Sequence, residues 1–157
     1  RDLARPGFLH QAYFVNQERR EGTDEQVTEA AVQYLVAEDP DFLFLYLGET
    51  DMRGHDDGWM SESYLACIRR AMDCVMKVTE HLMDDHVLIL TADHGGHDRG
   101  HGMDTDADMT IPLFLSGHGI PANHELQAAS IMDLAPTIAH LMEVQPVSAW
   151  EGKYLLV

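Results

Sequence analysis

Apolar positions along this chain follow two spacings, three to four residues apart in some stretches and contiguous in others. Residues 23–39, TDEQVTEAAVQYLVAED, carry Val27, Ala30, Ala31, Tyr34 and Leu35 at helical steps behind a Thr or Asp cap, and stop before Pro40. Residues 41–48, DFLFLYLG, are a short continuous apolar run bounded by Pro40 and Gly48, a length that suits a buried strand. Residues 59–85 hold Tyr64, Leu65, Ile68, Ala71, Met72, Val75, Val78 and Leu82 at three- and four-residue steps, which predicts a long amphipathic helix capped by Ser61. HVLILTA at 86–92 reads as a second buried strand and IPLFLSG at 111–117 as a third. SIMDLAPTIAHLME at 130–143 reads as a final helix interrupted early by Pro136. Strand, long helix, strand predicts the right-handed crossover unit of a parallel sheet in one α/β domain.

At 157 residues, 45% hydrophobic and 24% charged, the chain is long enough for one sizeable core. Its formal net charge of -17 argues against a nucleic-acid polymer or an anionic membrane as partner. No apolar run approaches the roughly 18 residues of a membrane span. The opening RDLARPGFLHQAYF lacks the apolar core of a signal peptide, so the expectation is a cytoplasmic protein. The start without Met reads as a fragment or processed piece, so the opening stretch says little about targeting. Cys67 and Cys74 fall on one helix with Cα atoms roughly 10 Å apart, beyond the reach of a disulfide, and read as buried thiols.

The reactive residues gather after two of these strands. ETDMRGHDDGW follows 42–48, and DHGGHDRGHG follows 86–92, so both clusters fall where open parallel sheets bind ligands. Asp51 and His55 form a DxxxH pair that one helical turn brings to a single face, with Gly54 expected to allow a tight turn beside them. Asp93 and His94 are adjacent, and Gly95 and Gly96 allow the backbone to leave the extended form in which successive side chains diverge. His97 and His101 add two further imidazoles. Imidazole and carboxylate together suit zinc, manganese or iron better than calcium. The segment 95–110 is the one long irregular stretch, of a length that is usually functional or disordered.

DFLFLYLGETDMRGHDDGW, SESYLACIRRAMDCVM, VLILTADHGGHDRGHG, IPLFLSGHGI and SIMDLAPTIAHLM, in that order, resemble the carboxyl-terminal half of the alkaline phosphatase superfamily, over about residues 25 to 157. The GHDDGW and RGHG contexts are most similar to its type I phosphodiesterase and nucleotide pyrophosphatase branch. The resemblance implies a three-layer α/β/α fold with a mainly parallel sheet, two divalent metal ions, zinc or else manganese, and a small phosphate ester as substrate. It implies Asp51, His55 and His101 as ligands of one ion, with His97 competing for the third place, and Asp93 and His94 as ligands of the other.

The family's nucleophilic Ser or Thr and a further metal-binding Asp stand well before this segment, and nothing among the first 50 residues matches them. The chain therefore reads as the carboxyl-terminal part of one metal-dependent hydrolase domain, inactive in isolation, with an exposed sheet edge that favours self-association. Thr50 and Thr91 are the nearest hydroxyls but match no nucleophile motif. Arg53 and Arg99 flank the clusters and read as phosphate contacts or surface charge. Trp59 and Tyr64 read as packing, His118 as a turn residue and Asp133 as an early-helix acid. TADHG, DMRGH and DLAPTI also resemble cofactor-independent phosphoglycerate mutases, which is the alternative reading; a non-catalytic metal-binding domain is another.

Overall fold

The computed structural model describes residues 11–13, 15, 21–126 and 128–156; residues 1–10 and 14 of the opening stretch, read above for a leader, lie outside them. The elements are α1 (Thr23–Glu38), α2 (Glu49–Asp57), α3 (Glu62–Thr79), β1 (Val87–Thr91), α4 (Asp106–Met109), β2 (Leu113–Gly117), a 3-10 turn (Ile131–Asp133) and α5 (Leu134–Leu141). They divide into two compact units, Arg1–Leu82 with His94–Thr110, and Met83–Asp93 with Ile111–Val157. No helix among the described residues is long and apolar enough to cross a membrane.

The first unit is helical. α1 ends at Asp39 in the left-handed region, one residue before Pro40, because a proline disfavours helical backbone in the residue before it. α3 starts where the Ser61 hydroxyl accepts the Tyr64 N–H at 3.2 Å. Val32 and Leu35 of α1 pack with Val78 of α3, and Leu45 and Leu82 close over them. Cys67 and Cys74 are buried free thiols, and burial pushes both up from the usual thiol value.

Residues 42–48 are not a strand. They form no ladder among the described residues, although the period of two survives: Leu43, Leu45 and Leu47 are half-buried while Phe42, Phe44 and Tyr46 face outward, Phe44 at 77% exposure. An extended segment becomes a strand only when another backbone satisfies its amides, and no described segment does so here.

α1 and α2 instead cap each other. Glu49, first residue of α2, accepts from Thr23 N at 2.6 Å, Thr23 Oγ1 at 3.0 Å and Asp24 N at 3.2 Å at the start of α1. Asp24 Oδ1 returns the favour, accepting from Gly48 N at 2.9 Å and Glu49 N at 3.3 Å. Free amides at a helix start need acceptors and prefer anionic ones, so this exchange fixes the origin of α2.

In the second unit β1 and β2 pair antiparallel, from Val87 opposite Gly117 to Thr91 opposite Leu113. The parallel crossover expected from 42–48 to 86–92 is not seen among the described residues, because 42–48 forms no ladder. β2 begins beside the end of β1, as antiparallel pairing allows. The described sheet is two-stranded, a mixed α/β arrangement that does not by itself show the three-layer, mainly parallel architecture. Pro136 does not interrupt the last helix either. It stands in the first turn of α5, where an N–H has no helical partner to lose.

Candidate metal centre

α2 sets Asp51 and His55 four residues apart on one face, with His55 Nε2 3.5 Å from Asp51 Oδ1. The loop after His94 brings two more imidazoles to the same oxygen: His101 Nε2 lies 3.5 Å from it and His94 Nε2 3.8 Å. Asp51, His55 and His101 each offer a ligand atom within 4.8 Å of the others. Asp51 Oδ1 is sealed from solvent, yet no hydrogen-bond donor among the described residues reaches it. A buried carboxylate oxygen without a donor is costly, because it has left water for nothing in return.

The far sides of two rings sharpen that point. His55 Nδ1 is 3.0 Å from the Arg99 carbonyl and His94 Nδ1 is 2.7 Å from the Gly95 carbonyl. A carbonyl only accepts, so both Nδ1 atoms carry the proton, and in the neutral rings both Nε2 atoms present lone pairs toward Asp51. Lone pairs and a carboxylate facing one another repel unless a cation stands among them. Backbone carbonyls on the outer nitrogen are also the usual support of metal-bound histidine. The His94 and His101 rings stack at 3.7 Å.

Trp59 packs behind this group, 5.2 Å from the His55 ring, 5.8 Å from His101 and 6.0 Å from Tyr64 by centroids. A Cβ on Gly54 would come within 2.7 Å of the indole and one on Gly96 within 2.2 Å. These glycines clear a slot for Trp59. Gly54 makes no tight turn, since it lies inside α2, and neither residue has a positive φ.

His97 stands apart from the converging nitrogens. Its Nδ1 is 2.7 Å from Oδ1 of buried Asp108, whose Oδ2 accepts the Met103 N–H at 2.7 Å. The pairing holds His97 above the usual imidazole value and Asp108 below the usual carboxylate value. Asp93 belongs to the second unit and is exposed there. Thr50 lies in the first turn of α2, and the Thr91 hydroxyl donates to the Pro112 carbonyl at 2.9 Å. Arg53 is held by Asp57 and Glu21, each at 3.1 Å, while Arg99 contributes its carbonyl to His55. His118 follows β2 in a turn. Asp133 accepts from Ser130 N and Lys153 N, both at 2.8 Å, which holds it below the usual carboxylate value.

Sequence reasoning passed over Glu49 and Asp108, and read Thr23 or Asp24 as the cap of α1, whereas the cap position is Gly22 and Asp24 serves the start of α2. Glu49 and Asp108 were readable as acids beside the clusters, but nothing in a run such as DTDAD marks which carboxylate turns inward. A cavity of about 440 Å³ lies beside the Glu49 clasp, lined by Glu21, Glu25, Glu49, Arg53, Ser63 and Arg70. It includes neither Asp51 nor any of the three histidines that converge on its Oδ1.

Residues 12–146 match the model of the metalloenzyme superfamily, and the chain belongs to that family. Among curated proteins it is similar to the 2,3-bisphosphoglycerate-independent phosphoglycerate mutases of Staphylococcus aureus strains Mu50 and N315 and of Staphylococcus haemolyticus strain JCSC1435. Each is 27% identical over 137 residues, which is 83% of this chain and 26% of the relative. The chain thus spans about a quarter of the length of these relatives. They are mutases by name, so the expected nucleotide pyrophosphatase branch finds no support among them, and the alternative reading fits better.

Proposed function

We propose that this chain is the metal-binding part of a phosphoryl-transfer enzyme acting on a small phosphate ester, of the phosphoglycerate mutase kind in preference to the phosphodiesterase kind. The observation that carries the reading is Asp51 Oδ1, buried, without a donor among the described residues, and faced by three imidazole nitrogens. The donor set fits a divalent transition ion such as zinc or manganese.

Asp51, His55 and His101 would hold one ion, with His94 facing the same oxygen. Such ions supply positive charge to the oxygens of an in-line phosphoryl displacement. The chain's own residues supply the frame. The Arg99 and Gly95 carbonyls fix the tautomers of His55 and His94, Trp59 fills the space behind the rings, and the Glu49 clasp sets the start of α2. The matched relatives favour the mutase reading, while GHDDGW and RGHG remain the features shared with phosphodiesterases.

Phosphorus NMR separates the two, using the 157-residue chain dialysed after loading with paramagnetic manganese. The 31P line of 3-phosphoglycerate should broaden strongly, that of bis-p-nitrophenyl phosphate weakly, and neither with His55→Ala. Stronger broadening of the diester would return the phosphodiesterase reading. No broadening of either by a chain that retains manganese would remove the phosphate-ester reading.

A further inference from the structure

The loop that delivers His101 has little packing of its own. Met103 is 59% exposed and the residues from His101 to Ala107 are exposed throughout. A loop of this kind gains order only from specific bonds, since each residue fixed costs about 1–2 kcal/mol of backbone entropy. The bonds converge on one side chain. Asp108, on α4 and only 2% exposed, engages His97 through Oδ1 and Met103 through Oδ2, so it grips the chain on both sides of His101. Its own carbonyl accepts the Gly95 N–H at 2.7 Å, and the Ala107 carbonyl accepts the Gly96 N–H at 2.9 Å, which ties α4 to the segment just after His94.

Between these grips the chain makes a small hairpin. His97 and Gly100 exchange both backbone bonds at 3.0 Å, and Asp98 turns the corner with φ 46°. The tip then meets the site: the Trp59 backbone N–H donates to the Asp98 carbonyl at 2.7 Å, and the Arg99 carbonyl accepts from His55 Nδ1–H. One carboxylate therefore sets the hairpin that fixes the His55 tautomer and also the strand of loop that carries His101.

We propose that Asp108 is a positioning residue of the metal centre, which acts through His97 and Met103 to hold His101 against Asp51 and His55. This inference rests on the metal-centre reading and deepens it. Asp108 touches no donor atom of the centre. Its removal leaves every ligand in the chain and disturbs only where one of them stands.

The test compares the full 157-residue chain with Asp108→Ala and Asp108→Asn. Asparagine can accept the Met103 N–H through its oxygen and donate to the neutral His97 ring, so it keeps both bonds; alanine keeps neither. Amide hydrogen exchange of the metal-free proteins should show residues 97–103 opening faster in the alanine variant and close to wild type in the asparagine variant. Cobalt(II) binding, followed by its visible absorption with His55→Ala as the blank, should weaken by about tenfold or more in the alanine variant and by less than threefold in the asparagine variant. Circular dichroism of each variant reports whether the helices persist. Unchanged exchange at 97–103, or equal cobalt affinity in wild type and Asp108→Ala, would overturn the positioning role. A wild-type chain that takes up no cobalt would overturn the metal-centre reading instead, and this inference with it.

Discussion

At the α1–α2 junction Asp24 accepts from the Gly48 and Glu49 amides, and in the 97–108 loop Asp108 accepts from the Met103 amide and the His97 ring. Both carboxylates are almost wholly buried, at 5% and 2% exposure, yet they are driven in opposite directions. Burial first, with the charge of Glu49 adding to it, raises Asp24 from 3.8 to about 6. The His97 bond first, with the Met103 amide helping, lowers Asp108 against the smaller pull of burial. Similar exposure therefore does not give these aspartates the same charge: at Asp24 burial prevails, with the charge of Glu49 adding to it, whereas at Asp108 the bond from His97 outweighs burial.

The largest effect expected from breaking this comparison comes from Glu49, the anion that faces Asp24. Glu49→Ala leaves Thr23 N, Thr23 Oγ1 and Asp24 N without their acceptor and should cost about 3 kcal/mol of stability in a thermal melt. Glu49→Gln keeps an acceptor oxygen and should recover more than half of that loss. Equal losses in the two variants would mean that bulk, not hydrogen bonding, holds the junction.

A smaller effect should appear as two pH slopes of opposite origin, measured by thermal unfolding with chelator present. Asp24 has a raised folded value, so the stability it contributes is full below about 4 and is lost as pH rises through about 6. Asp24→Asn cannot ionise, and its stability relative to wild type should rise by about 2 kcal/mol from pH 4 to pH 7. His97 is raised as well, whereas Asp108 is lowered. Their pairing is therefore strongest between about pH 4 and 6.5, fading above as His97 deprotonates and below as Asp108 takes up a proton. Wild type should exceed His97→Gln by a degree or two in Tm at pH 5, a small effect because the His97 side of the pair is open to solvent, and the gap should narrow as pH rises and His97 loses its proton. Parallel slopes at the two aspartates would dissolve the contrast.

Helical spacing was the most legible feature of the chain. The apolar steps in 23–39 and 59–85 lie on α1 and α3, where Ala31, Leu35, Val75 and Val78 are buried while Met72 is exposed, and the four-residue step from Asp51 to His55 lies on α2 as expected. The run 41–48 was misread because its contiguous apolar letters hide which of them meets a neighbour; Leu45 packs on the core while Phe44 faces outward. Strand direction was not legible either, since β1 and β2 read alike whichever way they run. The roles of Asp24, Glu49 and Asp108 were not legible because acids are ordinarily solvated, and their inward turn depends on amides that only the folded chain places beside them. Gly54 was legible as a special position, but its reason, the Trp59 indole, needed the structure.

The central claim is that Asp51 Oδ1 lies where a cation belongs, and metal content tests it most directly. The chain is loaded with zinc, dialysed at pH 7.5 against metal-free buffer and subjected to elemental analysis beside Asp51→Asn, with both repeated at pH 5.5. The account predicts about one equivalent or more retained by wild type at pH 7.5, as expected where neutral imidazoles bind. It predicts at least a tenfold loss with Asp51→Asn and release from wild type at pH 5.5, where imidazole takes up protons. Equal zinc in wild type and Asp51→Asn at pH 7.5 would contradict it.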